Sequence, residues 1–442
     1  MSSPSLLQPL RWDLYEEHLG EAAFRWNQWE KALDAPDFSL AELAELEEPC
    51  AAHIDALVLG GEPVAHRLLI PALSEEPERV LAAALALLRA ESPPGPSALL
   101  TALHTAESEG LGSIQRALEL APTACIPREF ASLLKKEDAA FELWASVIEV
   151  LGTHGLASSA LCAPLLSHPE PQVVAATLRA MGRARLPVEP GVLQRALGSD
   201  EPVLRDAALT VGLMNGHAGA WAACQSSVDS TAPGNRLPLL LLGLSGDERA
   251  ATRLVGLLPH EKLRPDVLWA LGFSGRIQAA DACLELMRLE PVAALAAESF
   301  SAITGLVIAG DFAAAKEDAA DESLTPLEED LERDLSPKPE DDLPQPMAEQ
   351  VAAWWKEMRP RLDPKQRYLA GQPFSPQRLI DALLSAPLRR RHALALELAL
   401  RSRGLHQVPT RAPVEQQVLA WKSARAAPAS SINRPFAEGL RG

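Results

Sequence analysis

Few residues of this chain stand at spacings that could do chemistry. Ten histidines are dispersed, and His260-Glu261 is the one His-Glu pair, whereas metal sites on helices need several ligands at i, i+3 or i+4. Five cysteines, Cys50, Cys125, Cys162, Cys224 and Cys283, are scattered singly and odd in number, which suits neither a disulfide framework nor a Cys-x-x-Cys zinc site. They read as small apolar fillers. A glycine-rich phosphate loop, a nucleophile elbow and a His-Glu-x-x-His helix are all missing, so no catalytic, cofactor or metal residue is assigned. One compact basic run, Arg389, Arg390, Arg391 and His392, opens a helix whose Leu394, Leu396 and Leu398 point inward, and it reads as a solvated helix start. Trp12, Tyr15, Trp26 and Trp29 crowd the N-terminal region. Tryptophan is a preferred interface anchor, so Trp12, Trp26 and Trp29 are candidate docking residues.

The elements that must carry these residues are helices. Hydrophobic residues make up 47% and aromatic residues 5% of the 442 positions, with Ala and Leu dominant, which suits close-packed helices better than strands. Apolar helical runs end in Gly152, Gly182, Gly212, Gly243, Gly272 and Gly305, spaced about 30 residues apart. That period is the length of one antiparallel helix pair of the HEAT type. In each pair an acid-proline step such as Glu170-Pro171 or Glu201-Pro202 opens the first helix. The glycine is expected to end it in a left-handed conformation. A second helix follows, as over 191–197 or 248–258. Neither helix buries its apolar face alone, so neighbouring pairs must stack. The expectation is an all-α HEAT-repeat solenoid, a right-handed superhelix of antiparallel helix pairs. Its parts are an N-terminal helical cap region over 1–95, the array over 96–310, an acidic proline-rich linker or loop over 311–346 and a C-terminal helical region over 347–442. Within the cap, Ser39 with Glu42 three residues later predicts a capped helix start. Ser375-Pro376 predicts another, and Gly404 a helix end.

The formal net charge is -18, from 59 acidic and 41 basic residues, which speaks against the cationic footprint that nucleic acid requires. The segment 311–346 alone holds thirteen acids and three bases, so the folded body is only mildly acidic. The N-terminus lacks the charged start and apolar run of a leader, and no apolar stretch is long enough to span a bilayer; a cytoplasmic protein without membrane insertion is expected.

Several segments together resemble an uncharacterised family of proteobacterial HEAT-repeat proteins related to phycobilisome-lyase-like repeats. They are EEHLGEAAFRWNQWEKALDAPDFSLAELAELEEPCAAHIDALVLGGEP at 16–63 and AAESFSAITGL at 296–306. DLPQPMAEQVAAWWKEMRPRL, QRYLAGQPFSPQRL and RRHALALELALRSRG follow. The resemblance implies an association with type VI secretion loci and brings no activity or catalytic residue with it. The chain departs from that family's pattern at Cys50, at Glu47-Glu48 and in the long acidic insertion.

A solenoid exposes a long curved surface, so the leading expectation is a non-catalytic protein-binding scaffold or adaptor, for an effector of that secretion system or its immunity or delivery component. A protein partner held by the second helices would meet Gln194, Arg195, Gln225, Arg253, Glu285 and Arg288. Two alternatives stay open. One is a HEAT-scaffold enzyme, a lyase acting on a bilin-like chromophore or a base-modifying enzyme, which would need a pocket of converging ionisable groups. HEAT-like DNA glycosylases line a concave face with cations and aromatics, and the second helices here carry few cations. The other is a structural subunit of a larger assembly.

Overall fold

In the computed structural model, residues 10–90, 94–135, 139–229, 234–315, 338–427 and 436–440 are described. The chain is all-α and solenoid-like, with neighbouring helices stacked in order along the sequence. It opens with α1 (Trp12–Ala32) and α2 (Leu40–Leu59), the latter starting at a capping box in which Ser39 and Glu42 satisfy each other's backbone N–H. Short turns α3 (Gly61–Val64) and α4 (Ile70–Ala72) lead to α5 (Pro77–Arg89), α6 (Pro94–Thr105) and α7 (Ser108–Leu120).

Five regular pairs follow. They are α8 (Phe141–Thr153) with α9 (Ser159–Leu165), α10 (Pro171–Arg183) with α11 (Pro190–Leu197), α12 (Pro202–Met214) with α13 (Ala218–Asp229), α14 (Arg236–Ser245) with α15 (Glu248–Leu257), and α16 (Arg264–Ser274) with α17 (Ile277–Leu286). The array ends at α18 (Ala293–Thr304). Proline begins α10, α11 and α12, where its missing N–H has no partner to lose.

The repeat glycines do a different job from the one their positions suggested. Gly152, Gly182, Gly212, Gly243 and Gly272 lie inside their helices, where successive helices cross at close range. A Cβ on Gly152 would sit 2.6 Å from Ala180 of α10, and one on Gly243 would sit 2.1 Å from the Ala270 carbonyl oxygen of α16. Glycine is needed there because only it lets two backbones approach so closely. The left-handed residues that end the helices are Gly155, Arg185, Gly216, Gly246, Gly275 and Gly305, so only Gly305 was placed correctly. After three of these helices the next N–H closes the helix end, as in Leu156 to Leu151, Leu186 to Met181 and His217 to Gly212.

First helices pack on first helices through α8, α10 and α12, and again through α14, α16 and α18. Between α12 and α14 the ladder is interrupted, and the buried residues separate into two cores at that point. The C-terminal region fills the interruption. It consists of α19 (Ala348–Met358), a two-stranded hairpin of β1 (Tyr368–Leu369) and β2 (Gln372–Pro373), α20 (Pro376–Ser385), α21 (Leu388–Arg401) and α22 (Val414–Ala426). Ser375 caps α20 by accepting the Arg378 N–H. Helix α21 packs on both α12 and α14; Leu388 joins the first core, while Leu394 and Leu398 join the second.

The hairpin docks on successive helix ends. Tyr368 N–H donates to the Gly275 carbonyl at 2.7 Å, Ala370 N–H to Ala302 at 2.8 Å, and Gly371 N–H to Ile303 at 2.9 Å. Carbonyls left open by the last turns of α16 and α18 are satisfied this way. The acidic segment expected over 311–346 falls for the most part, at 316–337, outside the described residues. Its described flanks meet, with Ala313 bridging Pro346 and Ala314 N–H donating to Gln345.

Candidate functional site

Helix α21 is the centre of the molecule. Leu388 N–H donates to the Phe38 carbonyl just beyond α1, and Arg389 faces Glu298 of α18 at 3.4 Å. The N-terminal cap and the last array helix thus reach the same helix, and the first helices α12 and α14 pack on it from the array, so the first helices form the inner layer and the second helices lie outside. Twelve of the fourteen residues of α21 are buried. The arginine run is therefore not a solvated helix start: Arg389, Arg390 and Arg391 are 7%, 6% and 1% exposed. The apolar, alanine-rich stretch that follows them is the signal in the sequence, because a helix apolar on all sides is a buried one.

Beside α21 lies a cavity of about 910 Å³. Array residues Arg116, Glu119, Thr153, Arg183, Arg236, Leu240 and Trp269 line it, together with Asp34 after α1. The end of the acidic segment contributes Lys338 to Glu340, and the C-terminal region contributes Arg389, His392, Ala393 and Val408 to Ala412. Six cations face three carboxylates there, in a chain of net charge -18. Behind the lining, Arg116 pairs with Glu30 at 2.5 Å, Arg183 with Glu149 at 2.5 Å and Arg236 with Asp266 at 3.6 Å.

One wall is a clasp between the two chain ends. Arg411 donates to both oxygens of Asp34 at 2.9 Å, and Arg116 donates to the Arg411 carbonyl at 2.7 Å. His392 Nε2 meets the Leu33 carbonyl at 2.9 Å, and its Nδ1 meets Thr410 Oγ1 at 2.7 Å. The carbonyl only accepts, so Nε2 carries a proton, and Nδ1 and the Thr410 hydroxyl share the second hydrogen bond. Burial alone would raise the Asp34 pKa, but His392 and Arg411 hold it down to about 2. A hydroxyl-imidazole-carboxylate order of this kind can activate a nucleophile. Here, however, Thr410 is 8% exposed and each ring nitrogen is used to join segments, which makes the group a fastener.

The residues proposed from sequence do not converge. Trp26 and Trp29 pack edge to face at 5.1 Å and are 5% and 0% exposed, so burial removes both as surface anchors. Trp29 Nε1–H instead donates to Glu47, whose carboxylate accepts the first N–H of α22, Val414, at 2.9 Å. Trp12 is half-buried beneath Arg67, 4.2 Å from the ring centre. Truncation of a buried tryptophan costs about 3–5 kcal/mol. Trp26→Ala should lose that much in urea unfolding, and any loss of binding should disappear once unfolded protein is discounted.

Gln194, Arg195, Gln225, Arg253, Glu285 and Arg288 sit on α11, α13, α15 and α17 or directly after α17, in the outer layer. Arg253 donates to the Gln225 carbonyl at 2.7 Å, and Arg288 bridges Glu285 at 3.4 Å and Glu349 of α19 at 3.2 Å. Gln194 and Arg195 are exposed. The second helices therefore do not form an inner, concave face. Cys50, Cys162, Cys224 and Cys283 are buried and Cys125 is half-buried, with burial pushing Cys50 up to about 11 and Cys283 to about 12. Among the described residues no group of His, Cys, Asp and Glu could hold a metal ion, and no helix is long and apolar enough to cross a membrane.

With this geometry in view, a scan against protein-family models finds no match, and neither does a search of curated proteins.

Proposed function

We propose that the chain is a non-catalytic binding scaffold whose ligand enters the cavity beside α21 instead of lying on the second helices. The observation that supports this is the cavity itself. Its volume falls within the roughly 300–1,000 Å³ range of ligand sites, and its wall mixes convergent polar groups with Leu240, Val408, Pro409 and Ala412. Any link to a type VI secretion component remains a proposal carried by the resemblance of the terminal segments alone. So does a cytoplasmic site of action.

The enzyme alternative has one feature in its favour, the Thr410-His392 hydrogen bond. Thr410→Val keeps the side-chain shape and removes the hydroxyl. On the scaffold reading it should change ligand affinity only as far as the clasp wall loosens, while an enzyme would lose turnover altogether.

A cavity-filling variant tests the proposal. Ala412 is 9% exposed on the wall, and Ala412→Trp should block ligand uptake. The readout is native mass spectrometry of the purified chain after incubation with a fractionated extract of its source cell. Adducts kept by an Arg195→Ala, Arg253→Ala, Arg288→Ala triple variant and lost by Ala412→Trp support the cavity. The reverse pattern sends the function back to the outer layer.

A further inference from the structure

The α21 arginine run buries more positive charge than its surroundings balance. Arg389, Arg390 and Arg391 are all more than nine-tenths buried, and among the described residues Glu298 is the one carboxylate within 4 Å that is comparably enclosed. It lies 3.4 Å from Arg389 and 3.8 Å from Arg390, and neither of its oxygens completes a hydrogen bond. Glu340, at 3.8 Å from Arg389, sits at the cavity rim with its side chain 38% exposed. Arg391 donates to the Leu383 carbonyl and has no carboxylate. Among the described residues, Nη1 of each of the three arginines is left without a hydrogen-bond partner.

The guanidiniums find part of their compensation in aromatic rings. Arg389 and Arg390 lie 4.8 and 5.0 Å from the centre of the Trp269 ring, and Arg390 lies 4.1 Å from that of Phe273. A ring face attracts a cation but does not neutralise it. Isolated buried charges are retained where something pairs with them. Of the three arginines, Arg389 lines the cavity, beside Trp269, and Arg236 and Lys338 line it as well.

We propose that the cavity binds a small organic polyanion whose phosphate or carboxylate oxygens sit against Arg389 and the other cations of the lining. Arginine's fork matches the paired oxygens of both groups. The apolar wall of Leu240, Val408, Pro409 and Ala412 takes the ligand's carbon body, which separates it from a bare inorganic ion. This inference rests on the cavity being the binding site and adds the chemical class of what it holds.

The test is isothermal titration of the full chain at constant ionic strength with five probes: fructose 1,6-bisphosphate, citrate, sulfate, glycerol and an oligoglutamate peptide. The variants are Arg389→Met, which keeps most of the stem, and Arg195→Gln on the outer layer as control. Fructose 1,6-bisphosphate or citrate should bind, and Arg389→Met should weaken that binding by at least about tenfold while Arg195→Gln leaves it unchanged. Whichever of the two binds more tightly assigns the oxyanion as phosphate or carboxylate. Melting without ligand separates this from a merely structural role. Arg389→Met should melt close to the wild-type temperature, because Arg390 stays within 3.8 Å to pair Glu298. Binding of the peptide alone, equal affinity in Arg389→Met, or no probe binding more tightly than sulfate would overturn the inference. A neutral adduct displaced by Ala412→Trp with no anion binding would overturn it while leaving the cavity as the site.

Discussion

Glu397→Gln is expected to be among the most destabilising single substitutions in the chain, at about 3–5 kcal/mol, because it leaves two buried guanidiniums facing a neutral amide. Glu397 is fully buried in α21, where Arg367 donates to its two oxygens at 2.5 and 2.9 Å and Arg401 donates at 2.6 Å. Both arginines are anchored further. Arg367 donates to the Phe273 carbonyl at 2.8 Å and Arg401 to those of Leu244 and Ser245 at 3.3 Å, and the Phe374 ring lies within 5.0 Å of both. One carboxylate thereby ties α14, α16, the hairpin and α21 together. Urea unfolding of Glu397→Gln beside the wild type measures the loss, and a midpoint shift equivalent to under 1 kcal/mol would show that the network is dispensable.

The same residue sets a pH dependence with a definite sign. Burial would raise the Glu397 pKa, but Arg367 and Arg401 hold it below its ordinary value. A depressed pKa in the folded state gives stability that is present above the unfolded value, about 4.3 for glutamate, and is lost as pH falls through the folded value. Wild-type stability should fall on acidification below about pH 4, and Glu397→Gln should show a shallower acid limb. Parallel acid limbs in the two proteins would assign the acid sensitivity elsewhere.

Gly275→Ala is the second large effect. Gly275 has φ of 66°, and a Cβ there would stand 2.2 Å from the Tyr368 carbonyl oxygen and 3.0 Å from the Tyr368 nitrogen. The left-handed conformation costs about 1–2 kcal/mol for a side chain, and overpacking against backbone adds about 1–3 kcal/mol. The hairpin has to lift, which breaks the Tyr368 to Gly275 hydrogen bond and disturbs its neighbour at Ala302. Hydrogen exchange should show loss of protection at Tyr368, Ala370 and Gly371 together with a lower melting temperature. Gly256→Ala is the control, since nothing lies within 4 Å of its added Cβ. Equal effects of the two substitutions would exclude the docking explanation.

Architecture was legible in the sequence because it depends on local rules. Helix periodicity, the proline starts at Pro171 and Pro202 and the capping box at Ser39 each act within a few residues, and each lies where it was expected. The glycine period was legible as a number, but its meaning was not. Gly243 and Gly246 are three residues apart, one a crossing point against Ala270 and the other a left-handed helix end. Sequence periodicity registers both as glycine near a helix terminus.

The centre of the molecule depended on tertiary structure. Arg389, Arg390 and Arg391 point around most of a helix circumference, a pattern that water would stabilise, until the array curls and encloses them. Trp26 and Trp29 read first as part of the structural cap and second as anchors, and the packing of α1 on α2 places them inside. What the amino-acid order determined alone is therefore the stack of helix pairs, whose contacts are between neighbours in sequence. Which surface is inner, which charges are buried and where a cavity remains follow from α21, which meets Leu33 359 residues away and Leu244 157 residues away. Contacts at such separations leave no periodic trace, because each is made once and between residues whose types are common elsewhere in the chain.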